Sequence, residues 1–216
     1  MSASAPVVLP ATAYEELRER ILAGQEPPGA TVTEAAVAAR FGIARPTARQ
    51  AIERLVNDGL LRRGAHRAAR VPELTSSDIA DIFDSRAVVE AAAIERLARA
   101  GSLPADALAA HRALLALDGT GPFARIDARF HRALVAGQPN SRLDRMHGLI
   151  MGEIELCIAQ VQAEGVLTVP EIREQHQGIL DAVIAGDAEL AGRLVMEHIH
   201  GARDRLLVAY DRTRAR

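Results

Sequence analysis

A chain of 216 residues, 49% of them hydrophobic, is long enough for one large or two small folded domains, and two fit better. Aromatic residues make up only 3% and Trp is absent, while Ala, Leu, Ile and Val dominate, which points to an aliphatic helical core and away from a β-sandwich. A net charge of −2 excludes a uniformly basic surface, charge interrupts every apolar run of ~18 residues, and a single cysteine excludes an internal disulfide framework, so a cytosolic protein without a membrane span is expected.

Residues 1–10 are small, Pro-containing and aperiodic, and a disordered tail is expected there. They also lack the basic segment and hydrophobic core of a secretory leader. A first helix is predicted from about Thr12 to Ala23, with Tyr14, Leu17, Ile21 and Leu22 near one face, until Gly24 and Pro27-Pro28-Gly29 break it.

Two short helical stripes follow across a turn at Gly42. The first runs through Ala36, Val37, Ala39 or Arg40, and Phe41; the second through Ala48, Ala51, Ile52, Leu55 and Val56. The second helix leaves Arg45, Thr47, Arg49 and Gln50 on its opposite side. Pro46 is tolerable in its first turn, whose amides have no intrahelical acceptor, and Asp58-Gly59 supplies a stop. Leu60-Leu61-Arg62-Arg63 and Ala68-Ala69-Arg70-Val71 then flank Gly64-Ala65-His66-Arg67, which reads as a small β-wing with a basic tip. Together these elements outline a winged helix-turn-helix over residues 11–72. Such a domain would set Arg45, Thr47, Arg49 and Gln50 against base edges and phosphates in the major groove. Arg62, Arg63, Gly64, His66 and Arg67 would approach the backbone or minor groove. The charge is therefore local, with Arg45, Arg49, Arg62, Arg63, Arg67 and Arg70 before residue 72 and Asp78, Asp81, Asp84 and Glu90 after it.

A linker is placed at 73–77, where Thr75 and Asp78 resemble a capping box opening a long helix that ends near Gly101. Further helices are predicted near 104–117, 121–136, 140–164, 168–185 and 187–212, separated by Gly119-Thr120-Gly121-Pro122, Gly137-Gln138-Pro139-Asn140, Gly165 and Gly186-Asp187. The fold class is mainly α, and residues 78–213 form an antiparallel bundle of about six helices. Cys157 falls on an apolar stripe and reads as a buried structural thiol.

Polar residues on inward stripes carry the chemistry, because burial without a partner is expensive. Asp127 and His131 share a face with Phe123, Phe130 and Leu134; His176 interrupts the series Ile172, Ile179, Leu180, Val183; His198 interrupts Ala191, Leu194, Val195. One carboxylate and three imidazoles suit a borderline divalent cation, zinc first, with nickel, iron or manganese as alternatives. His147, on the stripe Leu143, Ile150, Ile154, is either a fifth ligand or a partner to one of the four. Arg86 lies in the inward series Ile79, Ile82, Phe83, Val89, Ala93, and its partner is either Glu90, four residues on, or the carboxylate of a bound ligand. His111 and His200 are read as structural, His111 with the pattern of a surface boundary.

From about Tyr14 to Tyr210 the chain resembles the GntR-type transcription regulators, in particular the FadR subfamily with its FCD effector domain. The family's Ser-Arg-x-Pro-Val-Arg-Glu-Ala-Leu run is similar to Ala44-Arg45-Pro46-Thr47-Ala48-Arg49-Gln50-Ala51-Ile52, and Gly64 matches the wing-tip glycine. Ala44 replaces the usual Ser, the proline is displaced by one position, and Ala35 stands where some members place a DNA-contacting arginine, departures that bear on the operator sequence more than on the fold. Downstream, Arg86 to Glu90 resembles the family's Arg-x-x-x-Glu, and Asp127-Ala128-Arg129-Phe130-His131 its Asp-x-x-Phe-His; His176 and His198 match its later histidines. The resemblance implies the same four metal ligands, and six effector-domain helices are similar to the VanR-like branch. It further implies a homodimeric regulator, a repressor in the commoner case, that binds a palindromic operator in double-stranded DNA at the nucleoid. A small carboxylate effector would bind near the metal, engaging Arg86 and His147. An enzyme is not expected, since no general base or nucleophile motif accompanies the ligands.

Overall fold

A computed structural model describes residues 10–65, 67–118, 123–161 and 168–214. The expected tail up to Leu9, the wing-tip His66, and the breaks at Gly119-Thr120-Gly121-Pro122 and at Gly165 lie outside the described residues. The chain divides after Leu74 into two compact units.

The first unit opens with α1 (Pro10–Leu22), so Pro10, expected in the tail, is already helical. Ala13, Tyr14, Leu17 and Ile21 are buried, and α1 packs on α3 (Arg45–Asn57). The Tyr14 hydroxyl donates to Asp58 at 2.6 Å, and the Arg54 guanidinium lies 3.8 Å from the ring centre, so the ends of α1 and α3 are linked by more than apolar contact. Between them, α2 (Glu34–Phe41) starts at Thr33, whose hydroxyl accepts from the Ala36 amide, and ends at Gly42 with φ +63°. That left-handed backbone favours glycine and turns the chain sharply into α3. Only Val37 and Phe41 of the expected α2 stripe are buried, because a helix of eight residues packs along one edge. On α3, Ala48, Ala51, Ile52 and Leu55 are buried, each large aliphatic contributing roughly 1.5–3 kcal/mol by leaving water.

Arg62 and Arg70 exchange both backbone hydrogen bonds, at 2.8 and 2.9 Å, which closes the wing. Its return strand, β2 (Ala69–Arg70), also pairs antiparallel with β1 (Thr31–Val32), matching Thr31 to Arg70 and Val32 to Ala69. Strand β1 was not expected. Two residues behind Pro27-Pro28-Gly29 are too few to show alternation.

The second unit contains six helices among its described residues: α4 (Ser76–Ala100), α5 (Ala105–Leu115), α6 (Ala124–Ala136), α7 (Ser141–Val161), α8 (Val169–Ile184) and α9 (Ala188–Arg214). The expected capping box is present, with Asp78 accepting from the Thr75 amide at 2.8 Å and Thr75 accepting from the Asp78 amide at 3.1 Å. Ser76 and Ser77, placed in the linker by the sequence, therefore form the first turn of α4. α4 packs against α6, α7, α8 and, most extensively, α9, which makes it the axis of the bundle. Its buried stripe includes not only Ile79, Ile82, Phe83 and Ala93 but also Arg86 and Glu90. Cys157 is buried, and so is His111, for which a surface-boundary position was expected.

Candidate metal centre and nucleic-acid interface

The inward faces of α6, α8 and α9 bring Asp127, His131, His176 and His198 together, with one ligand atom from each lying within 4.8 Å of the others. The reason is register. Asp127 and His131 stand one turn apart on α6, and His176 and His198 occupy core positions of helices that pack on each other. His131 and His176 are fully enclosed, while the Asp127 side chain retains 17% exposure.

The outer nitrogens decide what the inner ones can do. Glu90 accepts from His131 Nδ1 at 2.5 Å, and Gln175 Oε1 accepts from His198 Nδ1 at 2.7 Å. In neutral rings both Nε2 atoms then carry lone pairs, and they face each other at 3.2 Å. Two lone pairs at that distance repel unless a cation lies between them. A proton can serve, and His131 is the ring that takes it: burial and Arg86 oppose its charge, but Glu90 and Asp127 outweigh them and raise its pKa. A divalent metal can also serve, since two nitrogens at ~2.0–2.1 Å from a tetrahedral zinc lie about 3.3 Å apart. Nearby, Asp127 Oδ1 and both nitrogens of His176 are buried without a hydrogen-bond partner; His176 Nε2 approaches Asp127 Oδ1 to 3.3 Å but without alignment. Such orphaned atoms cost roughly 1–3 kcal/mol each when nothing binds them. The donor set and its unsatisfied atoms fit a metal ion.

Burial drives the His176 pKa down to about 4 and that of His198 well below the ordinary value, so both stand neutral and ready to coordinate at neutral pH. Burial would raise Asp127, but His131 and His176 overcome it and hold the carboxylate ionised. Phe130 stacks on His176 with ring centres 3.9 Å apart and fixes its plane.

Glu90 is the hub beneath this cluster. Besides His131, it accepts from Arg86 Nε at 2.7 Å and His147 Nε2 at 2.9 Å, all within a fully buried site. Burial alone would raise its pKa, but Arg86 and His131 hold it well below the carboxylate range. The structure thus pairs Arg86 with Glu90, and leaves Arg86 Nη2 buried without a partner among the described residues. His147 joins Glu90 and stands outside the four-residue set. Gln175 and the triple role of Glu90 were not foreseen: an acid four residues after an arginine reads as a local helix pair, and a glutamine at a helix edge carries no signal. His111 Nε2 meets Gln177 at 3.0 Å, and His200 stays partly exposed near Asp84, apart from the cluster.

In the first unit, Arg45, Arg49, Gln50, Arg62, Arg63, Gly64 and Arg67 are exposed and Thr47 half-buried. Arg45, Arg63 and Arg67 line one groove with Thr33, Glu34 and Ala35 at the start of α2. Arg49 is held by Glu34 through two hydrogen bonds, Nε to Oε1 at 2.9 Å and Nη2 to Oε2 at 3.2 Å. That hydrogen bond from Arg49, more than any other influence, lowers the Glu34 pKa. A row of arginines beside the exposed flank of a helix that follows a tight turn matches what a DNA groove and its phosphates require.

Comparison with known proteins agrees in both units. The model of bacterial regulatory proteins of the gntR family matches residues 9–71, and that of the FCD domain matches residues 81–201. The chain is similar to the "probable D-xylose utilization operon transcriptional repressor" of Paenarthrobacter nicotinovorans, 28% identical over 83% of this chain and 80% of that protein. It is also similar to the HTH-type transcriptional repressor GlaR of Escherichia coli, 26% identical over 86% of this chain and 90% of that protein. A crystal structure of a GntR-type transcriptional regulator from Rhodococcus sp. RHA1 superposes with a TM-score of 0.69 at 26% identity, over 93% of this chain and 98% of that one.

Proposed function

Because the chain belongs to the GntR family of bacterial transcriptional regulators and carries an FCD domain, we propose that it is a homodimeric repressor whose second unit senses a small carboxylate at a divalent metal. Arg45, Thr47, Arg49 and Gln50 read a half-site, and Arg62, Arg63, Gly64, His66 and Arg67 follow the adjacent backbone. Two such units joined by a twofold axis call for a palindromic operator.

Asp127, His131, His176 and His198 hold the metal, zinc first by their donor set, which supplies a Lewis-acid position for an anionic ligand. Glu90 and Gln175 keep Nδ1–H on His131 and His198, so each Nε2 lone pair points inward. Arg86 offers its unpartnered Nη2 to the effector's carboxylate, and His147 steadies Glu90 from the other side. The observation that carries this reading is the set of buried, partnerless atoms, Asp127 Oδ1 and the His176 nitrogens, beside the facing Nε2 atoms 3.2 Å apart: a proton on His131 would bridge the facing pair and leave the others orphaned, whereas a metal ion would draw on all four side chains. The effector alters DNA affinity only by as much as it binds the DNA-free and DNA-bound protein differently.

A thermal-shift screen of small carboxylates with zinc and with chelator tests metal and effector together. Stabilisation by a carboxylate that disappears on chelation supports the reading. Absence of stoichiometric metal after chelator-free purification, with no stabilisation on adding divalent ions, would leave the bundle as a metal-free dimerisation scaffold.

A further inference from the structure

Arginine presents two hydrogen-bonding edges: a side-on edge of Nε and one Nη, and an end-on edge of the two Nη groups. Glu34 occupies the side-on edge of Arg49 with both carboxylate oxygens. The end-on edge, with Nη1 and the second hydrogen of Nη2, is the one that matches O6 and N7 of a guanine. We infer that Glu34 is a specificity-determining residue, a buttress that pre-orients Arg49 so that α3 discriminates a guanine in the half-site and that holds down binding to other DNA.

Three observations support this. Glu34 is the first residue of α2, anchored by the Thr33 cap, so its carboxylate sits on a fixed element. The two side chains remain 60% and 27% exposed, and an ion pair that solvated adds little to folding, so stability does not account for a bidentate clamp between two helices. Glu34 is also the acid in a groove otherwise charged by Arg45, Arg63 and Arg67, and those neighbours would be worse binders of phosphate for its presence. An acid there weakens the sequence-independent attraction to phosphates. A glutamate could instead accept from cytosine N4, but both oxygens of Glu34 are taken by Arg49, so its contribution to recognition runs through the side chain it holds. Glu53 adds a weaker attraction on Arg49 from the same helix.

This inference rests on the proposed role of Arg49 at base edges, and the test separates the two. Full-length protein is used to select a consensus duplex from a library with a randomised core, and affinities for that duplex and a scrambled one are measured across salt concentrations. Glu34→Gln is expected to reduce the ratio of selected to scrambled affinity about tenfold, with the scrambled duplex bound more tightly and its salt slope steeper by about one. In an Arg49→Ala background, Glu34→Gln should leave the ratio unchanged, since the lost charge then raises both affinities alike. A structural role at the α2 terminus would move the melting temperature but not this ratio. An unchanged ratio in Glu34→Gln, or an equal fall in the Arg49→Ala background, overturns the buttress alone when Arg49→Ala itself lowers the ratio. If Arg49→Ala leaves the ratio intact, the base-reading role of Arg49 and the buttress fall together.

Discussion

The two polar clusters of this chain stand at opposite extremes of solvation. In the first unit, Glu34 and Arg49 meet with 27% and 60% of their side chains exposed; in the second, Arg86, Glu90 and His131 meet at 3%, 0% and 0%. An exposed pair adds little to folding, so either of its members can take on a phosphate or a base edge at small cost to stability. A buried set cannot, because each member depends on the others for the hydrogen bonds that water would have made. The first unit is therefore built from replaceable contacts, and the second from committed ones, whose orphaned atoms a bound cation or anion would complete.

Glu90→Ala gives the largest test of that contrast. It strips a partner from Arg86, His131 and His147 at once, and about 3–5 kcal/mol of folding stability should be lost in urea denaturation. Glu171→Ala, which removes an exposed carboxylate bound to Arg205, should cost no more than about 1 kcal/mol. Similar losses from both substitutions would break the distinction between buried and exposed clusters.

How much of this could be read before the fold was seen follows the same divide. Helices betray themselves by period, so α4 was legible from its Thr75–Asp78 box to its stop at Gly101, where φ is +58°. The four-residue constellation was legible too, because a histidine in an apolar series is conspicuous. Glu90 was harder, since spacing along one helix pairs it with Arg86 and says nothing of the α6 and α7 histidines that reach it. Gln175 and the Glu34 clamp on Arg49 join different helices, and one-dimensional spacing does not encode which faces meet. His111 was misplaced for a related reason: its neighbours Ala107 and Ala110 are small, and a weak stripe conceals a buried face.

Metal loading should be the next largest effect. At a free zinc concentration of 100 times the dissociation constant, stability should rise by about 2.7 kcal/mol in a thermal melt. His176→Ala removes a proposed ligand whose two nitrogens are otherwise orphaned, and its melting temperature should no longer respond to zinc or chelator. A full zinc response in His176→Ala would place the cation elsewhere and undo the account of the committed cluster.

On the exposed side, Arg45→Ala should weaken binding to a selected operator duplex by about 1–3 kcal/mol if it reads a base. Its stability should stay within about 0.5 kcal/mol of the parent, because nothing buried depends on it. Loss of folding in step with loss of DNA binding would show that the recognition face is not made of replaceable contacts.

The smallest effect concerns the exception within the first unit, the link between Tyr14 and Asp58. Burial foremost, then the hydrogen bond and charge of Asp58, raise the Tyr14 pKa to about 12 from an ordinary value of 10.0. Between those values the folded chain keeps a proton that the unfolded chain has released. The contribution is thus fully present below pH 10 and is lost as pH rises through 12. Tyr14→Phe keeps the ring under Arg54 but deletes the donor, and should cost about 1 kcal/mol at neutral pH. An ultraviolet titration should find a phenol ionising near 12 in the parent and missing from the variant. If the phenol that disappears in Tyr14→Phe ionises near 10 in the parent, and the substitution leaves stability unchanged, this link is as replaceable as the arginines around it and the exposed character extends to the whole unit.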